Sequence, residues 1–399
     1  MILDPLLLQD IYHKIQNGLK LESILNEYSG TFKNDIVSHY YHLNCGPDLR
    51  NYQSDAVSEC VDFFGANPTG YNYNLLWCCG LGKTKTVLSI SKKLNSHNIL
   101  IGIPSLVLLD QIYNELKLFY PITKIFKLYS KKDMDDMEDK GLYTNGNLEE
   151  YLLENTRFKI VLSTYHSSKK ILEVSKSINM KFDLVILDEA HHVLDKKQKI
   201  FNKILDVEFE KRINLTATPN LEDENDKYLS FENSLEFSGK NNIKSIEWAI
   251  DNNFITNYNI IVINDDEYDL DKSILSKYNN KFEIIISAYV ALKALYDGIS
   301  KKILIYCNRV ENAKMVQNII NDLKKIKNGN KNELNTDGIE LNIGNYELNG
   351  SNCSVIRNDV IAKFKEDEYG ILSSVQIFGE GFDYPELDSV LLAEKMSSP

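Results

Sequence analysis

A stretch near residue 80 contains the residue types that hold a phosphate group. It consists of Gly80, Leu81, Gly82, Lys83 and Thr84. An apolar run precedes it and a helical pattern follows, which is the strand–loop–helix context of a phosphate-binding loop. Backbone N–H groups and the amino end of the helix can hold the phosphate oxygens there. The lysine can neutralise their charge, and the threonine hydroxyl can reach Mg²⁺.

A second apolar run, residues 182–187, places two carboxylates at its carboxyl end. The first, Asp188, can hold Mg²⁺ through water, as in a Walker B arrangement. The second, Glu189, can polarise an attacking water molecule. A charged turn after a buried strand would be the simpler interpretation if this pair stood alone.

A third motif, Asn-Leu-Thr-Ala-Thr-Pro at residues 214–219, has two hydroxyl side chains two residues apart. Thr216 and Thr218 lie at the end of an apolar strand pattern, and Pro219 ends the strand. By itself this motif identifies no chemistry.

The three motifs together resemble the DEAH-box branch of the superfamily 2 helicases and translocases. The match consists of the phosphate loop, the Asp-Glu-Ala-His of residues 188–191 and the Thr-Ala-Thr of residues 216–218, in that order. The chain is similar in particular to the motors of type III restriction enzymes and to helicases of large cytoplasmic DNA viruses. The glycine-bearing part of the loop is short in this superfamily, so Trp77, where a strict motif has glycine, still belongs to the strand.

The resemblance implies ATP and Mg²⁺ as cofactors and gives roles to the matched residues. The catalytic residues would be Lys83, Asp188, Glu189 and His191, and the metal ligands would be Thr84 and Asp188. The nucleotide would be bound by Gln53, Gly80, Leu81, Gly82, Lys83, Thr84 and Lys85, with Gln53 recognising adenine. Thr216 and Thr218 would couple the nucleotide site to the nucleic-acid site.

Two further segments look like the strand-end loops with which this superfamily touches nucleic-acid phosphates. They are residues 103–111 and 162–167, and the resemblance selects Pro104, Ser105 and Thr164. An ordinary strand-end loop would explain either segment alone. The restriction-motor character of residues 49–53 and 182–192 favours DNA over RNA as the partner, and no protein partner is indicated.

The second half of the chain carries two more segments that resemble the superfamily. Residues 302–316 look like the strand and helix that open the partner RecA-like domain. Residues 371–395 are more specific, since Gly379 and Gly381 allow close backbone approach and Asp383 stands where the family contacts the ribose. Gly381 and Asp383 are therefore also predicted to bind the nucleotide.

The composition is that of an ordinary soluble globular protein, with 43% hydrophobic and 26% charged residues. The net charge of −12 gives no sign of a nucleic-acid binder by bulk electrostatics. The longest uncharged apolar stretch, residues 98–109, is too short to span a bilayer, and residues 1–10 lack the basic start of a signal peptide. The sequence thus predicts an intracellular protein without a membrane partner. Its six cysteines form no C-x-x-C pair and are interpreted as reduced thiols.

Short apolar runs alternate with helical patterns, which predicts an α/β protein with parallel sheets. Five runs fall in the first half, at residues 73–78, 98–103, 158–164, 183–188 and 212–217. Four fall in the second half, at residues 257–263, 301–307, 369–375 and 388–393. Helices are predicted at 85–94, 106–119 and 246–255, and a loop or insertion is predicted at 324–338.

The predicted fold is two tandem RecA-like parallel-sheet domains, the second incomplete, behind a short helical extension. The expected boundaries are 1–48 for the extension, 49–238 for the ATP-binding domain and 239–399 for the second domain. The chain ends at Pro399, before the arginine box that the superfamily places next. Residues 1–399 alone are therefore expected to bind ATP and nucleic acid but to hydrolyse ATP slowly.

The function implied by the resemblance is an ATP-dependent helicase that couples hydrolysis to strand separation or to translocation. Two alternatives remain open from the sequence. One is a duplex DNA translocase that never separates strands, as in restriction-enzyme motors. The other is a weakly hydrolysing, ATP-gated nucleic-acid-binding module, which the missing arginine box favours.

Overall fold

The computed structural model describes residue 14 and then residues 49–67, 69–120, 123–129, 147–156, 158–194, 199–218, 237–262, 272–279, 281–326, 341–349, 352, 354–375, 384 and 386–394. The chain divides into two compact units, each with its own sheet. The first unit runs to Tyr258 and the second begins at Asn259. Both units are α/β, as the sequence predicts.

The first unit is built on a seven-stranded sheet in which every described pair is parallel. The strands are β1 (Tyr71–Trp77), β2 (Asn98–Ile103), β3 (Ile125–Leu128), β4 (Lys159–Thr164), β5 (Phe182–Leu187), β6 (Phe209–Thr216) and β7 (Gly239–Lys244). Their order across the sheet is β3-β4-β2-β5-β6-β1-β7. Because all strands point the same way, their carboxyl ends form one edge where loops can meet at a ligand.

Helices connect these strands as parallel crossovers require. They are α1 (Asn51–Ala66), α2 (Lys83–Lys93), α3 (Leu106–Phe119), α4 (Leu148–Leu153), α5 (Ser168–Ser177) and α6 (Ile246–Asp251). Three short 3₁₀ segments cover Tyr165–Ser167, Ala190–Val193 and Phe201–Asp206. Two apolar clusters, one on each face of the sheet, bury the inner strands. This burial explains why those strands appear in the sequence as continuous apolar runs.

A ladder of buried polar side chains crosses the sheet from β6 through β1 to β7. Asn74 of β1 accepts a hydrogen bond from the Asn214 amide at 2.7 Å and donates to the Asn241 carbonyl oxygen at 2.7 Å. Two residues earlier on each strand, the Arg212 guanidinium donates to Asn72 Oδ1 at 2.6 Å. All but Asn241 are fully or almost fully buried. The hydrogen bonds of the ladder therefore replace the bonds that water would make to these amide groups, which would otherwise be costly to bury.

The second unit has a four-stranded parallel sheet with the order β11-β8-β10-β9. Its strands are β8 (Lys302–Tyr306), β9 (Ile343–Leu348), β10 (Tyr369–Ser374) and β11 (Ser389–Leu392). Its helices are α7 (Lys272–Lys277), α8 (Phe282–Tyr296), α9 (Val310–Ile326) and α10 (Ser354–Glu366). An apolar cluster that includes Ile285, Leu292, Ile305, Ile320 and Ile371 packs α8 and α9 on this sheet.

Most predicted strands are confirmed to within three residues at either end. The prediction of a strand at 257–263 is wrong for its described part, because residues 257–262 have no regular structure and Ile260 is 80% exposed. Three strands, β3, β7 and β9, were not predicted. The helix expected over 246–255 ends at Asp251. The loop predicted at 324–338 starts as the end of α9, and its residues beyond 326 lie outside the described ones.

The expected boundary between residues 238 and 239 is too early in the chain. β7 pairs with β1 along its whole length, from Asn72 with Gly239 to Trp77 with Lys244. Residues 239–258 therefore belong to the first unit, since they complete its sheet. The predicted extension, residues 1–48, lies outside the described residues except for Lys14, which is helical. None of the helices in the described ranges combines the length and apolarity needed to cross a bilayer.

Candidate nucleotide-binding site

The strand order brings three of the sequence motifs to neighbouring positions. β5, β6 and β1 lie side by side, and their carboxyl ends lead into the acidic pair, the Thr216–Thr218 segment and the phosphate loop, respectively. The loops that follow β2 and β4 lie beyond β5 on the same edge. The sheet thus puts the predicted nucleotide residues on one half of the edge and the predicted nucleic-acid loops on the other.

The phosphate loop requires glycine at two positions. Gly80 has a φ of +82° and Gly82 a φ of +74°, values that side-chain-bearing residues rarely adopt. A Cβ on Gly82 would also lie 2.5 Å from Nε2 of Gln53. Gly82 is the N-cap of α2, so the backbone enters the helix directly from the loop. This is the geometry in which free N–H groups at the start of a helix donate hydrogen bonds to phosphate oxygens.

Two side chains of α1 hold the phosphate loop through the Leu81 carbonyl. The Tyr52 hydroxyl donates to the Leu81 carbonyl at 2.9 Å, and Gln53 Nε2 donates to the same oxygen at 3.0 Å. Gln53 Oε1 accepts the backbone N–H of Arg50 at 2.9 Å, so both ends of the amide are engaged. Because Gln53 is also only 4% exposed, its contacts in the structure are with the loop backbone. The recognition of adenine by Gln53 stays a prediction.

Lys83 and Thr84 open α2 at the mouth of the loop. Lys83 Nζ donates to the Trp77 carbonyl at 3.0 Å, which folds the side chain back along the loop. Thr84 and Asp188 line the same small cavity between α2, α3 and the sheet, although they are far apart in sequence. The structure thus brings together the two side chains predicted to bind Mg²⁺. A hydroxyl and a carboxylate are hard oxygen donors of the kind that this ion prefers.

Lys85, the other lysine of this first turn, has a different environment. Burial raises the pKa of Glu115 on α3, and the Lys85 ammonium opposes that rise, so the two groups lie close to each other. Lys85 is therefore engaged with α3 in addition to any part it has in binding the nucleotide.

The acidic pair forms a tight turn at the end of β5. The Asp188 N–H donates to the Gly102 carbonyl at 2.9 Å, and Asp188 Oδ1 accepts the N–H of Glu189 at 3.1 Å. Glu189 has a φ of +46°, which is left-handed and unfavourable for a residue with a side chain. Such strain persists only where surrounding contacts impose it, and it is concentrated at functional sites.

His191 connects the acidic turn to the Thr216–Thr218 segment. Its Nδ1 lies 2.9 Å from the Thr216 hydroxyl, 3.4 Å from the Thr218 hydroxyl and 3.4 Å from Glu189 Oε2. The Thr216 hydroxyl also accepts the N–H of Thr218 at 3.1 Å. A rearrangement of the segment would therefore reach Glu189 through a single imidazole ring.

Replacing Thr216 by valine should slow ATP hydrolysis while leaving ATP affinity unchanged. The substitution keeps the side-chain shape but removes the oxygen that bonds both His191 and the Thr218 backbone. Each such bond corresponds to a factor of about ten in rate, so loss of both should slow hydrolysis by about ten- to a hundredfold. Single-turnover hydrolysis and equilibrium ATP binding would measure the two effects. Ser175→Ala is the control, since it removes a buried hydroxyl that bonds only the Leu172 carbonyl on α5; an equal decrease in both variants would contradict the prediction.

The residues predicted to touch nucleic acid are not equally accessible. Pro104 and Ser105 are partly exposed, and the Ser105 hydroxyl caps α3 by accepting the Leu108 N–H at 3.4 Å. Thr164 is only 1% exposed, and its hydroxyl has no hydrogen-bond partner in the structure. The structure therefore does not support a surface contact by Thr164. In this loop the exposed side chain is that of His166, which the sequence analysis did not select.

The two cysteines before the loop differ in environment. Cys78 is buried and its thiol lies 3.6 Å from the Ser245 carbonyl. Burial raises the pKa of the Cys78 thiol, and the nearby Lys83 ammonium only partly offsets this. A thiol with a raised pKa is a weak nucleophile and a weak metal ligand, which fits a packing role. Cys79 is exposed.

Gly381 and Asp383, which are predicted to bind the nucleotide, lie outside the described residues, together with Gly379. Tyr165 is the functional candidate that sequence reasoning missed: its hydroxyl donates to the Asp188 carbonyl at 2.5 Å. A buried-strand pattern followed by tyrosine gives no indication of such a bond.

Comparison with known proteins gives one family match. Residues 46–221 match the family model described as "Type III restriction enzyme, res subunit". A probable helicase of African swine fever virus is 24% identical over 340 residues, which are 82% of this chain and 35% of the relative. Helicase SWR1 of Eremothecium gossypii is 26% identical over 176 residues, 43% of this chain and 11% of the relative. The chain thus spans about a third or less of these curated relatives.

Solved structures share the fold of the chain. The ATP-dependent Type ISP restriction-modification enzyme LlaBIII, solved bound to DNA, matches with a TM-score of 0.66 and 23% identity, covering 87% of this chain and 26% of that protein. A fragment of a putative HsdR subunit of a type I restriction enzyme from Vibrio vulnificus matches with a TM-score of 0.54 and 18% identity, covering 88% of this chain and 58% of that protein. At these identities the likeness establishes tandem RecA-like folds.

Proposed function

We propose that this chain is an ATP-driven motor of superfamily 2 of the helicases and translocases and that it acts on DNA. One observation carries the proposal. The phosphate loop, the acidic pair and the Thr216–Thr218 segment lie at adjacent strand ends, and His191 Nδ1 lies within 3.4 Å of both Glu189 and Thr218. That connection joins the hydrolytic residues to a neighbouring segment, as a motor needs and a passive nucleotide-binding site does not.

The donor set fits MgATP. The left-handed Gly82 leads into the amino end of an 11-residue helix, and Lys83 lies at its first position. The backbone N–H groups of the loop and the Lys83 ammonium would hold the phosphates, while Thr84 and Asp188 would hold the metal ion. When bound, Mg²⁺ neutralises charge on the phosphate oxygens. Glu189 would then orient and polarise the attacking water, and His191 would fix the position of the Glu189 carboxylate.

DNA is the proposed partner, supported by the enzymes of similar fold. LlaBIII was solved bound to DNA, and the matching family model describes a restriction-enzyme subunit. Contacts to nucleic acid by strand-end loops go to phosphate and sugar, so they bind the backbone without sequence specificity. The partly exposed Pro104 and Ser105 and the exposed His166 are the side chains offered for such contacts.

ATP hydrolysis by the chain is expected to increase when DNA is added. The test compares hydrolysis without nucleic acid and with single-stranded DNA, duplex DNA and RNA, at several salt concentrations because phosphate contacts weaken as salt rises. Stimulation by DNA but not RNA supports the proposal. ATP binding without any stimulation would instead favour an ATP-gated binding module, and stimulation by RNA alone would exclude DNA as the partner.

A second function, translocation on duplex DNA without unwinding, is favoured by the similarity to restriction enzymes. A strand-displacement assay and a triplex-displacement assay on the same duplex separate the two. Release of a third strand without separation of the duplex would identify a translocase. Release of a duplex strand would identify a helicase.

A further inference from the structure

Tyr165 lies in the loop that follows β4, and its environment differs from that of the next residue, His166. Its own side chain is 0% exposed, whereas the next side chain, His166, is exposed. Both rings contact Phe201, with centroids 5.7 Å from Tyr165 and 4.7 Å from His166. A displacement of the exposed His166 ring would therefore be transmitted to the buried Tyr165 ring through Phe201, which both rings contact.

The Tyr165 hydroxyl reaches across β2 to the acidic turn. It donates to the main-chain carbonyl of Asp188 at 2.5 Å. The N–H of Asp188 donates to the Gly102 carbonyl at 2.9 Å. The peptide between Asp188 and Glu189 is thus held by Tyr165 at the point where the backbone turns into the left-handed conformation of Glu189.

β2 provides the space that this crossing needs. A Cβ on Gly102 would lie 2.7 Å from Cε1 of Tyr165 and 2.6 Å from Cδ1 of Ile204. Glycine at this position therefore allows the ring to approach the strand closely. Its conformation is otherwise ordinary, since Gly102 is within a regular strand and has no positive φ. The glycine is explained by the close approach of the ring.

We infer that Tyr165 is a positioning residue for ATP hydrolysis, which holds the Asp188–Glu189 peptide in its strained conformation and links it to the loop proposed to contact DNA. The inference rests on the proposed function, because it assigns the hydrolytic role to Glu189. The physical basis is one hydrogen bond to the carbonyl that precedes a residue at φ +46°. Without that bond the peptide plane can rotate, and the Glu189 carboxylate loses its fixed direction.

Tyr165→Phe tests the inference, since it removes the hydroxyl and keeps the ring that packs against Phe201. Tyr151→Phe is the matched control. Tyr151 is also buried, and its hydroxyl also donates to a main-chain carbonyl, that of Lys124 at 2.6 Å. It lies beside Ile160, near the opposite end of β4 from the acidic turn. Both variants lose a bond from a buried tyrosine hydroxyl to a main-chain carbonyl in the same unit, and Tyr151→Phe also loses the bond that its hydroxyl accepts from the Ile160 N–H at 2.9 Å, so the control is the more severe change.

Single-turnover ATP hydrolysis by Tyr165→Phe should fall about tenfold, because the variant loses one hydrogen bond of ordinary strength that fixes the direction of Glu189. Equilibrium affinity for ATP should stay within about twofold, because a residue that acts on the chemical step changes kcat and not binding. The ratio of hydrolysis with duplex DNA to hydrolysis without it should fall towards one. Tyr151→Phe should keep the wild-type rate and ratio, even if its Tm falls as much as that of Tyr165→Phe.

Two results would overturn the role of Tyr165: a wild-type rate and DNA ratio in Tyr165→Phe, or an equal decrease in Tyr151→Phe. The second result would show that loss of any buried tyrosine hydroxyl weakens the unit in general. Absence of ATP hydrolysis in the unsubstituted chain is a different result. It would contradict the proposed function itself, and the role of Tyr165 with it.

Discussion

Replacement of Glu189 by glutamine should leave the protein able to bind ATP but almost unable to hydrolyse it. The amide has the shape of the carboxylate, so the left-handed turn at φ +46° is no more strained than before. It cannot act as a base towards the attacking water, and general bases contribute about 10²- to 10⁴-fold to the rate. Asp188, Thr84 and the loop are unchanged, so ATP affinity should change little. Rapid-quench hydrolysis and equilibrium binding of ATP would measure the two quantities.

Glu173→Gln is the control for this substitution. It makes the same chemical change on α5, where the carboxylate is largely exposed and pairs only loosely with Lys169 at 3.7 Å. Hydrolysis by Glu173→Gln should equal that of the unsubstituted chain. If Glu189→Gln also hydrolyses ATP at the full rate, the base must be another residue, and the proposed role of His191 in fixing Glu189 would lose its basis.

Replacement of Lys83 by alanine should abolish both tight ATP binding and turnover. The ammonium is the positive side chain at the first position of α2, where the loop and helix converge. Charge-assisted hydrogen bonds contribute about 1.5–3 kcal/mol each, so loss of two to phosphate oxygens would weaken binding by roughly 10²-fold or more. Stability without ligand should hardly change, since Lys83 is only partly buried and its described bonds are to the Trp77 and Cys78 carbonyls.

The rise in Tm on addition of MgATP is the simplest measurement of this effect, because a ligand stabilises in proportion to the logarithm of its concentration over Kd. Lys93→Ala provides the comparison. It removes a lysine from the same helix, but from the exposed last turn. An undiminished Tm rise in Lys83→Ala would show that phosphate is bound elsewhere.

The sequence predicted the parts of this site that depend on local chemistry. Glycines, a lysine and a hydroxyl between a strand and a helix fit few other structures, and Asp188 follows a strand whose burial is visible as an apolar run. β7 was missed for the opposite reason. Its residues, Gly-Lys-Asn-Asn-Ile-Lys, are half-exposed and polar, and only pairing with β1 makes them a strand.

Side-chain direction was harder to predict than strand position. The resemblance selected Thr164 as a nucleic-acid contact, but as the last residue of the inner strand β4 it is buried. Gln53 was assigned to adenine, and its bond to the Leu81 carbonyl could not be read from the sequence. The bond from Tyr165 to Asp188 depends on a strand between them that has glycine at the crossing point. None of these facts is local in sequence, so no spacing rule could reveal them.

The buried ladder of asparagines has a consequence for assembly of the first unit. Parallel strands lack hairpin turns to set their alignment, and β1 must find partners 140 and 167 residues away in the chain. Apolar side chains would tolerate several alignments of these strands. A shift by one residue would instead turn Asn72 and Asn74 away from Arg212 and Asn214 and leave buried amides unpaired. The same asparagines thereby determine the level at which β1 ends and the phosphate loop begins, because that loop follows β1 in the chain.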